Sequence, residues 1–219
     1  VNYLSHARLH LDQPHALVGT SLPDWLRVLG REYRLDPRRL PRDATGEEGA
    51  VWAGVRQHFE DDEWFHRHPS FHSLTGTITE EIRRTHPDPI GSPKPRHVRA
   101  SFLAHVMLEL LLDAWLAERI PDALDRYYDC LTRVDGEALL AWVAPQLDIH
   151  PTRLPDVFAG VQRHPFLRSY SDDSEVVDRL SQVASRVRLP PLPQSMVAVV
   201  GWARARVREG APELLSDLD

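Results

Sequence analysis

Apolar residues recur along this chain at helical spacing, and no Val/Ile/Thr-rich run alternates as a half-buried strand would. Proline and glycine punctuate the pattern into segments. Residues 2–12 read as a short amphipathic segment. A second helix is expected over Pro23–Tyr33, with Ser21 or Leu22 near its cap and proline in its first turn. Residues 36–46 (DPRRLPRDATG) read as a polar loop. The next helix starts near Glu47 and runs through Trp52, Val55, Phe59 and Trp64 to about Arg67. Pro69 opens another, with Leu74, Ile78 and Ile82 on one face, and 86–95 (HPDPIGSPKP) reads as a loop.

A long helix over Arg96–Arg119 follows, with Phe102, Leu103, Val106, Leu110 and Trp115 as its apolar positions. Pro121 can open the next, to about Arg133. Asp135 can cap another through Leu139, Trp142 and Val143. A short helix is expected at Asp156–Gln162, and two more at Asp172–Val187 and Gln194–Glu209. The expected class is all-α: a single-domain helical bundle spanning 1–219, with the chemistry-bearing motifs in 1–120 and core-completing helices in 121–219.

Composition narrows the function classes. The 219 residues are 42% hydrophobic and 26% charged, an ordinary globular balance. A net charge of −6 argues against a dedicated nucleic-acid binder. The longest apolar run, around Phe102–Leu112, is interrupted by His105 and Glu109, so no membrane span is expected. His6, Arg8, His10 and Asp12 break any signal-like apolar stretch near the start. Cys130 is the one cysteine, which excludes an intrachain disulfide and makes a reducing, cytoplasmic setting the expectation. The 12 histidines are more than a chain of this length usually carries, and several are placed rather than scattered.

His58, Asp62 and His66 recur every four residues and so share a helix face. His105, Glu109 and Asp113 repeat that spacing on the long apolar helix, where an unpartnered buried Glu109 would be costly. His6 and His10 are also four apart, and Asp24 sits in the apolar context SLPDWL. Two imidazoles and a carboxylate suit a first-row divalent metal. Any one such pair taken alone is more often a surface hydrogen bond, and Glu60, Asp61 and Glu63 read as a solvated charge run. Three helices each carrying histidine and carboxylate near apolar residues shift the balance toward a metal site.

These motifs resemble those of the acyl carrier protein phosphodiesterases. Asn2, Leu4 and His6 match the family's Asn-Phe-Leu-Ala-His opening; Gly19, Asp24 and Trp25 match its Gly-Asn stretch and Asp-Phe pair, with Thr20 where Asn is usual. His58, Asp62, Trp64, His68 and Pro69 follow its next motif in order, and His105 matches the histidine of a later Asp-His pair. His66 and Ala104 stand where the family has aspartate, Phe59-Glu60-Asp61 replaces a basic pair, and 86–95 departs from the family's pattern.

The resemblance implies an all-α fold like that of the HD phosphohydrolases. It also implies metal-dependent hydrolysis of the phosphodiester joining phosphopantetheine to acyl carrier protein. Expected ligands are His58, Asp62, His105 and Glu109, with His66 as a fifth ligand or a supporting group. Asp24 is the expected general base or a further ligand, and His6 would orient Asp24 or donate to a phosphate oxygen. Manganese is the family's kind of metal, and the His66 nitrogen favours Fe, Ni or Zn over Mn or Mg. An acidic carrier protein would dock on Arg27, Arg31, Arg34, Arg38 and Arg39, a local basic excess that a solvated loop explains equally well. Two alternatives stay open: another small phosphoester or nucleotide as substrate, and a metal-binding helical protein without turnover.

Overall fold

The computed structural model describes residues 2–86 and 96–215, and it is all-α, with no strand among the described residues. Among the described residues ten α-helices follow one another: α1 (Tyr3–Ala7), α2 (Pro14–Leu29), α3 (Gly46–Arg67), α4 (Pro69–Thr85), α5 (Arg96–Arg119), α6 (Ala123–Thr132), α7 (Gly136–Val143), α8 (Leu154–Arg163), α9 (Asp173–Arg186) and α10 (Met196–Leu215). The loop expected over 86–95 lies, beyond His86, outside the described residues.

The last helix, α10, runs past the expected Glu209 to Leu215 with Pro212 inside it, and two earlier elements also differ from expectation. The N-terminal segment is not amphipathic: all five residues of α1 are buried. A helix this short is unstable alone, so packing holds it. Tyr3 meets Phe166 edge to face, with ring centroids 5.3 Å apart. The second helix starts at Pro14, nine residues before the expected Pro23, and carries Pro23 in its interior. An interior proline costs roughly 3 kcal/mol. Burial of Leu17, Val18, Leu22, Trp25 and Leu26, each 0% exposed, outweighs it at about 1.5–3 kcal/mol per side chain.

The chain forms two compact units. The first comprises Tyr3–Glu63 and Ile120–Phe166. Here α2 packs on α1, α6 and α8, and α7 packs on α8. Trp25 meets Phe158 at 5.3 Å between ring centroids, and the Ser21 and Tyr127 hydroxyls lie 3.0 Å apart. The Asp135 carboxylate accepts from the Glu137 and Ala138 backbone amides, both at 2.8 Å, and caps α7 as the sequence indicates.

The second unit comprises Trp64–Arg119 and the chain from Leu167 onward. In it α4 and α10 pack on α5, and α9 packs on α5 and α10. Arg204 of α10 donates to Asp173 and to the Tyr170 carbonyl, both at 2.8 Å. The segment Ala100–Arg119 of α5, although interrupted by His105 and Glu109, is long and apolar enough to cross a membrane by length and composition. Of that window, 61% is buried in the fold. Asp113, which shares the four-residue spacing of His105 and Glu109, is 2% exposed.

Candidate metal centres

The first centre begins with two glycines. A Cβ on Gly19 of α2 would stand 2.1 Å from the Val51 carbonyl oxygen, and one on Gly54 of α3 would stand 2.0 Å from that of Ala16. Only hydrogen at both positions lets the two backbones approach this closely. The approach brings α3's next turn against α2. His58, four residues after Gly54, donates from Nδ1 to the carbonyl oxygen of Thr20 at 2.8 Å. That bond fixes the tautomer and leaves the Nε2 lone pair available.

His6 of α1 stacks on His58 with ring centroids 4.1 Å apart. Its Nδ1 lies 3.0 Å from Asp61 Oδ2. Asp61 is held in turn by Gln57 Nε2 at 2.5 Å and faces Arg8 Nη1 at 3.7 Å. Adjacent residues of α3 thus reach the same imidazole from two sides, because Asp62 lies beyond the other ring nitrogen. His6 Nε2 is 3.5 Å from Asp62 Oδ1, and His58 Nε2 is 3.6 Å from Asp62 Oδ2. His6 Nε2 is buried and has no hydrogen-bond partner among the described residues. Such an orphaned atom costs about 1–3 kcal/mol, and a cation among these three donors removes the cost.

The electrostatics fit that use. Burial pushes His58 down to about 3, so the ring is neutral at physiological pH. Burial also acts to lower His6, but the Asp61 and Asp62 carboxylates outweigh it and hold its pKa above the ordinary histidine value. For Asp62, burial acts upward, and the neighbouring His6 and His58 imidazoles overcome it and hold the carboxyl well below its usual range. The group is therefore a deprotonated acid beside two imidazoles, the donor set of a first-row divalent ion.

The second centre lies in the second unit. His66, at the end of α3, meets His105 of α5 with 3.3 Å between their Nε2 atoms. Glu109 Oε1, one turn along α5, is 3.1 Å from the same His105 nitrogen. Phe71 of α4 stands edge-to-face on both rings, at 5.3 Å from His66 and 5.1 Å from His105. These side chains are half-buried; those of His105 and Glu109 are 34% and 18% exposed.

The five expected ligands therefore fall into two groups: His58 and Asp62 join His6, whereas His66, His105 and Glu109 come together by themselves. His6 stands as a ligand-type residue beside His58. Asp61, read as solvated, is 1% exposed and supports His6. His10 lies beyond α1, with Nδ1 3.4 Å from Gln13 Oε1, so its spacing from His6 is not a helix face. Asp24 is half-buried on α2, one turn beyond Thr20. His68 caps α4, its Nδ1 accepting from the Ser70 amide at 3.2 Å. Arg27, Arg31, Arg34, Arg38 and Arg39 are all exposed. Within that set Arg38 is paired with Asp36 at 3.1 Å and Arg39 with Asp148 at 3.7 Å.

Comparisons with protein-family models, with curated proteins and with solved structures find no match to this chain.

Proposed function

We propose that the chain is a metal-dependent phosphoester hydrolase, related to the acyl carrier protein phosphodiesterases and through them to the HD phosphohydrolases. The observation that carries this reading is the convergence of His6, His58 and Asp62. His6 belongs to the first of the family-like motifs, and His58 and Asp62 to the third. A divalent cation bound there supplies Lewis acidity toward a phosphoryl oxygen.

The chain's own residues do the rest. Thr20 and Asp61 orient the two imidazoles, and the buried rings keep bulk water from the ligand nitrogens. Asp24, one turn beyond Thr20, is the carboxylate we assign to proton transfer at the attacking water. The exposed Arg27, Arg31 and Arg34 supply positive charge for an acidic carrier protein.

A second reading, a different small phosphoester as substrate, is favoured by position 104. Ala104 is fully buried where the family carries aspartate, and the carboxylate of Glu109 meets His66 and His105 instead.

The test is hydrolysis of bis-p-nitrophenyl phosphate and of holo acyl carrier protein with added Mn or Fe, in the native chain and in His58→Ala. Metal-dependent turnover lost in the variant supports the reading. Turnover of the small ester alone moves the substrate to the second reading. Activity on neither substrate with any metal overturns the hydrolase.

A further inference from the structure

We infer that His66, His105 and Glu109 form a second cation site, independent of the first and suited to a zinc-class ion. It draws on no residue of the first centre and does not rest on the proposed hydrolase activity. His105 Nε2 is 3.3 Å from His66 Nε2 and 3.1 Å from Glu109 Oε1.

A neutral His105 serves these two neighbours poorly. If Nε2 carries the proton, it donates to the carboxylate and must share that single hydrogen with the His66 nitrogen. If Nε2 is bare, it accepts from His66, and its lone pair then faces a carboxylate oxygen at 3.1 Å. A cation satisfies all three atoms at once.

The spacing matches that use. Two donors on a tetrahedral zinc-type ion with bonds of roughly 2.0–2.1 Å sit about 3.3 Å apart. The two Nε2 atoms stand at that separation. The ligand atoms of all three residues lie within 4.8 Å of one another.

The rings are also held in place. Phe71 presses edge-on against both imidazoles and itself packs on Phe65, at 4.6 Å between centroids. His66 and His105 come from different helices, so the pair is not a by-product of helical spacing. Two histidines and one carboxylate leave a coordination position for water, in keeping with the partial exposure of His105. Borderline ions such as Zn2+ and Co2+ suit this set better than Mg2+ or Ca2+, which prefer all-oxygen shells.

The experiment is titration of the chelator-stripped full chain with Zn2+ by competition against a chromophoric chelator. A parallel titration with Co2+ follows visible absorption. The native chain is expected to take up one equivalent that His105→Asn and His66→Gln lose and His58→Asn keeps. Conversely, His58→Asn is expected to lose an equivalent that the first two variants keep. Circular dichroism identifies any variant that fails to fold, and the remaining one at the same centre then decides. Uptake unchanged in the folded His105→Asn or His66→Gln variant overturns the second site and leaves the first untouched. Loss confined to those two variants upholds the second site while removing the first, and with it the basis of the hydrolase reading.

Discussion

His58 Nδ1 and the Thr20 carbonyl oxygen lie 2.8 Å apart, so the imidazole of one helix is aimed by the backbone of another. The contact exists because Gly19 and Gly54 let α2 and α3 touch along their main chains. Main-chain atoms outside the donor set thereby decide where the His58 imidazole points.

Gly54→Ala should damage the first centre without altering any ligand. The added methyl would stand 2.0 Å from the Ala16 carbonyl oxygen and must force the helices apart. Overpacking of this kind costs about 1–3 kcal/mol. Thermal unfolding should show the loss, and metal titration a weaker first site. An unchanged melting temperature with unchanged affinity would refute the close-approach account.

Asp61→Asn should weaken metal binding while leaving the fold in place. Groups that orient ligating histidines typically contribute 10–100-fold in affinity. Asp61 is such a group for His6, at 3.0 Å from Nδ1. Competition titration gives the measurement. Equal affinity in variant and native chain would mean that His6 is positioned by packing alone.

Stability should fall on acidification through His58. Its folded pKa of about 3 lies below the ordinary 6.5. Between those values the unfolded chain binds the extra proton, so stability drops as pH falls from about 6.5 toward 3, by of order a few kcal/mol over the whole window. Asp62, with a lowered pKa, adds to the acid loss below its ordinary 3.8. His6 works in the other direction: its raised pKa gives a contribution complete below 6.5 that fades as pH rises through the raised value. Urea midpoints across this range should show a flatter acid limb in His58→Gln. Parallel limbs would contradict the buried neutral ring.

Stripping metal should lower stability. An ion that binds only the folded chain, at a free concentration a hundredfold above its Kd, stabilises by about 2.7 kcal/mol. A chelator should therefore reduce the melting temperature of the native chain, and less so in Asp62→Asn. An identical chelator shift in both would show that Asp62 holds no ion.

The helix period was legible wherever an apolar face ran unbroken, as in α3 and α5, whose expected limits match within a residue or so. Local rules misled at α2. Pro23 alone reads as the helix opener, whereas the helix starts at Pro14, and only the burial of Leu17, Val18 and Leu22 shows that Pro23 is interior. The individual ligand-type residues were visible from their spacing, but their grouping was not. His6 meets Asp61 across 55 positions of sequence, and nothing near Asp61 distinguishes it from its charged neighbours Glu60 and Glu63. A charge run is read as solvated until another helix is known to cover it. Here α1, too short to announce itself, supplies that cover.

The ion pair between Arg8 and Asp61 sets the charge balance behind His6 in the first centre. Arg8 offsets the acid behind His6, which leaves Asp62 as the carboxylate facing the two imidazoles. On the proposed hydrolase reading, a dication held there would leave the pocket with surplus positive character, which a singly ionised diester would balance and a neutral ester would not.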